Sequence, residues 1–224
     1  MDLPRVIGQR IGVLGGTFDP VHNGHMALVE AAMVGLGLDS LVLIPAAVPP
    51  HKLDLPVTSL VHRLGMLRLA AAGRSGLYVS TIEAERSGPS YSIDTLSALR
   101  SHFGSEVTLF FLIGIDAFVE IHTWKNYQRL PALADLVVVD RAEGRSMRWS
   151  EVVASRFVGY CPDIEQGVWQ GVGGGGVIRN LDMALVDISS TTVRKLVAAG
   201  QAVGDLIPDA VEDYIHLNSL YKEK

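Results

Sequence analysis

Short unbroken apolar runs, rich in β-branched residues, alternate along this sequence with segments of helix length. A strand that is apolar at every position must be covered on both faces, and helices packed above and below a largely parallel sheet supply that cover. The runs predict strands at Arg10–Gly15, Ser40–Pro45, Leu77–Ile82, Val107–Gly114, Asp135–Asp140 and Ala184–Ile188. Between and after them, helical segments are predicted at Gly24–Val34, Leu60–Ala72, Ile93–His102, Ala117–Arg129, Thr191–Ala199 and Ala210–Leu220. The expected fold is α/β, an open, doubly wound, mostly parallel sheet with helices on both faces. With 224 residues, 48% of them apolar, the chain is long enough to bury such a core as a single domain over 1–224.

Two stretches break the alternation. Arg141–Ser150 is arginine-rich and Gly167–Gly176 holds six glycines. Residues 141–176 are therefore expected to form an irregular insertion, with a helical part over 189–224. Gly171–Gly176 spells G-x-G-x-x-G, but no predicted strand precedes it and no amphipathic helix follows, so it reads as a flexible surface linker.

Charge and cysteine content narrow the function classes. Nineteen Lys and Arg stand against 24 Asp and Glu, a net charge of -5, which argues against a general electrostatic grip on nucleic acid. Any anion must then be held by a local site. The longest nearly unbroken apolar run, Val107 to Ile115, is about half of what spans a bilayer, and Met1–Arg5 carries no signal-like apolar stretch. Neither membrane nor export is expected. The single cysteine, Cys161, excludes an internal disulfide framework and suits a reducing cytoplasm. A homo-oligomer is compatible with all of this.

The segment Gly15-Gly16-Thr17-Phe18-Asp19-Pro20-Val21-His22-Asn23-Gly24-His25 joins the first predicted strand to the first helix. In an open α/β sheet ligands bind at the carboxyl ends of strands, where the next helix offers unpaired N–H groups and a positive dipole end. Gly15 and Gly16 let backbone approach a nucleotide, and Asp19-Pro20 favours a turn into the helix. His22 and His25, three apart, can reach one anion, and imidazole suits a phosphoryl transition state because it donates a directed hydrogen bond. Zinc is the sharper rival reading, although the helical zinc motif wants histidines at i and i+4 with an acid between; surface histidines after an ordinary tight turn are the plainer one.

A second candidate anion site is Asp187-Ile188-Ser189-Ser190-Thr191-Thr192-Val193-Arg194. Hydroxyls before a helix are first of all caps. Four in a row, followed by an arginine, also gather donors and a cation at one helix start, which suits a polyphosphate.

With both segments in hand, the chain resembles the HxGH nucleotidyltransferase superfamily, and most closely its bacterial nicotinate-nucleotide adenylyltransferases. Gly15–His25 is similar to the family's G-G-x-F-D-P-x-H-x-G-H element and Ile188–Arg194 to its I-S-S-T-x-x-R element. Pro49-Pro50-His51-Lys52, Tyr91-Ser92-Ile93-Asp94-Thr95 and Gly114-Ile115-Asp116 with Trp124 stand where that family has similar residues, so the likeness spans roughly residues 10–200. After the fifth strand the family usually carries Arg-Pro-Gly, whereas this chain reads Asp140-Arg141-Ala142-Glu143-Gly144. The resemblance implies a Rossmann-like fold and transfer of the adenylyl group of ATP to nicotinate mononucleotide, giving deamido-NAD and pyrophosphate with magnesium, a step of NAD biosynthesis.

The same resemblance implies the roles. His22, His25, Lys52 and Arg194 would act on the phosphates, with Gly15, Gly16, Thr17, Phe18, Asp116, Ser190 and Thr191 on ATP. Thr95, Trp124 and Lys125 would face nicotinate mononucleotide, Trp124 by stacking and the other two through nearby backbone N–H groups. Asp116 reads equally well as a loop or cap acid, and Trp124 as core packing. No dense carboxylate cluster points to a dedicated metal cage, so Mg2+ would arrive with ATP and no metal-ligating residue is expected. The readings standing beside this one are another superfamily member, such as a phosphopantetheine adenylyltransferase or a cytidylyltransferase, a class I aminoacyl-tRNA synthetase, and a regulator that binds nucleotide without turnover.

Overall fold

The strand Arg10–Gly16 (β1) has neighbours on both sides, and the order in which the chain adds strands reverses beside it. To one side lie Ser40–Pro45 (β2) and Leu77–Val79 (β3); to the other lie Thr108–Gly114 (β4) and Asp135–Asp140 (β5). The computed structural model describes residues 6–49, 56–140, 147–184 and 186–222. Among them the sheet has eight strands in the order β3-β2-β1-β4-β5-β8-β7-β6, completed by Tyr160–Asp163 (β6), Val168–Gly171 (β7) and Gly175–Asp182 (β8). β3 through β8 run parallel, while β8, β7 and β6 form an antiparallel edge.

Both faces are covered, which explains the continuous apolar strands. In β4, Phe110 and Leu112 join one core while Leu109, Phe111 and Ile113 join the other. The first core is closed by helices α1 (Asn23–Gly35), α2 (Leu60–Ala71), α6 (Ser190–Ala198) and α7 (Asp209–Leu217). The second is closed by α3 (Ser92–Phe103), α4 (Ile115–Val119) and α5 (Met147–Arg156). No described helix is long and apolar enough to cross a membrane.

Three expectations are corrected. The sixth parallel strand is Gly175–Asp182 rather than Ala184–Ile188, and the glycine tract, expected to be a linker, builds it. Gly173 and Gly174 have φ of 82° and 92° and turn the β7–β8 hairpin, while a Cβ on Gly176 would sit 1.9 Å from the Pro131 carbonyl oxygen. Residues 141–176 are not irregular where they are described: Trp149, Val153 and Phe157 bury one face of α5 and its exit, and β6 and β7 follow. Residues 141–146, with Arg141, lie outside the described residues. The helix predicted over Ala117–Arg129 is instead α4 and two 3₁₀ turns, Ile121–Thr123 and Tyr127–Ala132, separated by Asn126 at φ 51°.

Candidate active site

Where the strand order reverses, the loops leaving β1 and β4 diverge and open a crevice at their carboxyl ends. It holds a cavity of about 560 Å³, bounded by Gly15, Gly16, Thr17 and His25 on the β1 side and by Gly114, Trp124 and Lys125 on the β4 side. Nothing lies within 4 Å of where a Gly15 Cβ would be, so backbone faces open space there. Phe18, expected among the ATP contacts, is a core residue instead. Its ring packs 3.0 Å beneath the Gly16 Cβ position and 5.0 Å from the His25 ring, where it supports both.

His22 is the N-cap of α1 and is 3% exposed; His25 is half-buried at the cleft wall. Their ring centroids lie 3.7 Å apart with the planes tilted by 33°, and the His22 backbone N–H donates to His25 Nδ1 at 3.2 Å as part of a capping box. That bond makes Nδ1 an acceptor, so a neutral His25 carries its proton on Nε2. Gly24 leaves room for this close approach: a Cβ there would stand 3.0 Å from His22 Nδ1.

The β1–α1 loop is fixed from three sides. Arg63, on α2 and 2% exposed, donates to the carbonyls of Thr17, Ala46 and Thr58 at 2.8 Å each, tying the ends of β1 and β2 together. Burial pulls its pKa below the usual guanidinium value, against the opposing effect of nearby Asp19. The buried Asp19 carboxylate accepts from the Thr58 N–H at 3.2 Å and the Tyr221 hydroxyl at 2.7 Å. From α6, Arg194 donates to the Asp19 carbonyl at 2.7 Å and Ser190 to the Pro20 carbonyl at 2.9 Å. The two motifs, far apart in sequence, thus meet on one loop. Ser189 caps α6 by accepting from the Thr192 N–H at 3.1 Å, and exposed Thr191 accepts from Arg194 at 3.3 Å.

At the other end, half-buried Trp124 meets Phe111 edge to face at 6.3 Å. Lys125 pairs with Asp94 at 3.0 Å and places its ammonium 4.7 Å over the Tyr91 ring. Thr95 does not face the cleft as expected. It is 4% exposed, its hydroxyl donates to Glu83 at 2.6 Å and accepts from Arg86, and its N–H is taken by the Tyr91 carbonyl. Ser92, one turn earlier, lines the cavity in its place, beside Glu83. Asp116 is exposed on α4, next to the lining residues Gly114 and Ala117. Lys52 lies outside the described residues. Sequence reasoning missed Arg63, Glu83 and Tyr221; of these, only the Glu83–Arg86 spacing offered a signal, two opposite charges three apart before a helix start.

The cytidylyltransferase-like family profile matches residues 13–196. A Geobacter (strain M21) protein named probable nicotinate-nucleotide adenylyltransferase is 42% identical over 214 residues, covering 95% of this chain and 98% of its own. One of the same name from Desulfatibacillum aliphaticivorans is 39% identical over 220 residues, covering 95% of this chain and 100% of its own. The chain belongs to the nicotinate-nucleotide adenylyltransferase family. The adenylyltransferase fold is seen again in the Plasmodium falciparum nicotinic acid mononucleotide adenylyltransferase complexed with NaAD, with a TM-score of 0.71 at 17% identity, over 96% of this chain and 98% of that one.

Proposed function

We propose that this protein transfers the adenylyl group of ATP to nicotinate mononucleotide, forming deamido-NAD and pyrophosphate, as a step of NAD biosynthesis. One observation carries the reading: a single crevice at the β1–β4 switch joins a histidine-bearing helix start to an aromatic end at Trp124, a span that suits two nucleotides meeting at their phosphates. The nucleophile, a phosphate monoester, is already ionised at neutral pH, so no general base is required. What the reaction needs is alignment of two polyanions and stabilisation of the charge that develops at the α-phosphate and on the departing pyrophosphate.

The residues suit those tasks. His25 donates from Nε2 to the reacting phosphate, with backbone of Gly15, Gly16 and Thr17 alongside and His22 holding the imidazole in place. Arg194 engages two of its five N–H donors on Asp19 and Thr191 and has others for the β- and γ-phosphates, beside Ser190 and Thr191 at the α6 start. Lys52 serves as a further cation, and Asp116 contacts the adenosine. Among the described residues no three His, Cys, Asp or Glu side chains converge as a metal cage. Mg2+ would arrive with the triphosphate and would supply charge neutralisation there.

Trp124 stacks on the pyridine ring, and the Lys125 and Ser92 region receives its carboxylate. N–H donors and a cation favour the acid, whereas an amide presents its own NH₂ to them. A cytoplasmic setting belongs to the same proposal, consistent with an exposed lone thiol at Cys161. Pyrophosphate release from ATP with magnesium tests the whole reading. Release with nicotinate mononucleotide, exceeding that with nicotinamide mononucleotide or phosphopantetheine, supports it; preference for either of the others overturns the acceptor assignment, and no release with any favours a nucleotide-binding regulator.

A further inference from the structure

We propose that Tyr221 is a positioning residue for the phosphate half of this site, holding Asp19 so that the β1–α1 loop and Arg194 meet the triphosphate in one fixed arrangement. The inference rests on the adenylyl-transfer reading and adds a residue to it. After α7 the backbone turns through Ser219 and Tyr221, two non-glycine residues held at φ of 50° and 63°. Such conformations persist only where the surroundings over-determine them. Here the turn packs Leu220 and Tyr221 against the α1, α2 and α7 core and brings the Tyr221 hydroxyl to Asp19 Oδ1 at 2.7 Å.

Packing alone does not call for that hydroxyl, since phenylalanine would fill the same space against Met66. The hydroxyl donates to a carboxylate oxygen, with Met66 Sδ 4.0 Å away, and burial and the neighbouring Asp19 raise its pKa. Asp19 is the residue whose backbone carbonyl receives Arg194, and the next carbonyl, that of Pro20, receives Ser190. With Thr58 on Oδ2 and Tyr221 on Oδ1, both carboxylate oxygens are engaged and the peptide that docks α6 is fixed from its side-chain end. Among the described residues, the hydrogen bonds of this cluster run to the β1–α1 loop and not to Trp124 at the ring end of the cleft. Tyr221 should therefore matter for ATP and for turnover but not for the pyridine nucleotide.

Tyr221→Phe keeps the ring and removes the donor. Binding of Mg–ATP measured by calorimetry should weaken about tenfold and kcat should fall by about the same factor, the loss expected for one hydrogen bond to a charged group. The KM for nicotinate mononucleotide should stay within about twofold, while the melting temperature should fall by a few degrees because a buried carboxylate oxygen loses its donor. In an Asp19→Ala background Tyr221→Phe should add nothing further; if that background does not fold, the single variant's split decides. Wild-type ATP affinity and turnover in Tyr221→Phe overturn the proposal, as does an equal loss for both substrates that tracks the folded fraction. If the wild-type protein binds ATP but does not use nicotinate mononucleotide, the acceptor reading fails while the ATP affinity ratio still decides the role of Tyr221. Wild-type protein that does not bind ATP overturns both.

Discussion

Gly24 stands between the two histidines, and its missing side chain leaves room for the His22 ring to approach that of His25. Gly24→Ala should gain somewhat less than the roughly 1 kcal/mol of helix propensity seen in a helix interior, since Gly24 sits in the first turn of α1, yet place a methyl 3.0 Å from His22 Nδ1. The expected outcome is a turnover reduced about tenfold or more, the scale of an ångström-level misplacement, with a melting temperature that does not fall; kinetics and thermal melting on the same preparation check it. His22 and His25 were legible because the G-G-x-F-D-P-x-H-x-G-H string is dense and contiguous. Arg63 and Tyr221 were not. Nothing in the local pattern of α2 separates the buried Arg63 from the exposed Arg68, because what distinguishes them is three carbonyls from other segments. Thr95 shows the converse: its place in the motif was legible, but not that its own N–H is spent on the Tyr91 carbonyl and its hydroxyl on Glu83, because both partners belong to the helix start and the loop before it.

Elements show their ends where polar side chains meet backbone. Ser189→Ala removes the cap of α6 and should cost about 1 kcal/mol of stability, with weakened ATP affinity because the same helix start carries Ser190, Thr191 and Arg194. Denaturant melts and calorimetry read both effects. At the opposite end of the sheet, Asp39 accepts the N–H groups of Arg10 and Gln9 at 2.9 and 2.8 Å, and these bonds hold its pKa below the ordinary carboxylate value. A pKa depressed in the folded state contributes stability that is present above the unfolded value and lost as the pH falls through the folded one. The stability gap between wild type and Asp39→Asn should thus be present at pH 6 and close below about pH 4, as melting temperatures across that range would show. Strands with an unbroken apolar run, such as Leu41–Pro45 in β2 and Leu136–Val139 in β5, were legible from the sequence pattern alone. Gly175–Asp182 was not, because its residues are chosen for close approach and turning, and α5 was hidden by a polar segment whose apolar stripe is three residues wide.

At the scale of the molecule, the strand order does the decisive work. Placing β1 between β2 and β4 separates the loops that follow β1 and β4, so the histidine-bearing helix start and the aromatic end at Trp124 face each other across one crevice. The alternation of apolar runs and helices foretold a doubly wound sheet, yet not its antiparallel edge, which depends on a hairpin that no periodicity announces. Division of the crevice into two ends predicts separable kinetics: Trp124→Ala should raise the KM for nicotinate mononucleotide about tenfold, the value of one ring stack, and leave the KM for ATP within about twofold. The central claim is adenylyl transfer through the His25 end of that crevice, and the fate of each phosphate of ATP tests it most directly. With ATP labelled at the α-phosphate and nicotinate mononucleotide as acceptor, the account predicts label in a dinucleotide product, label from the β- and γ-positions only in pyrophosphate, and a rate about a hundredfold or more lower in His25→Ala. Label from the γ-phosphate on the acceptor, or transfer undiminished in His25→Ala, would contradict it.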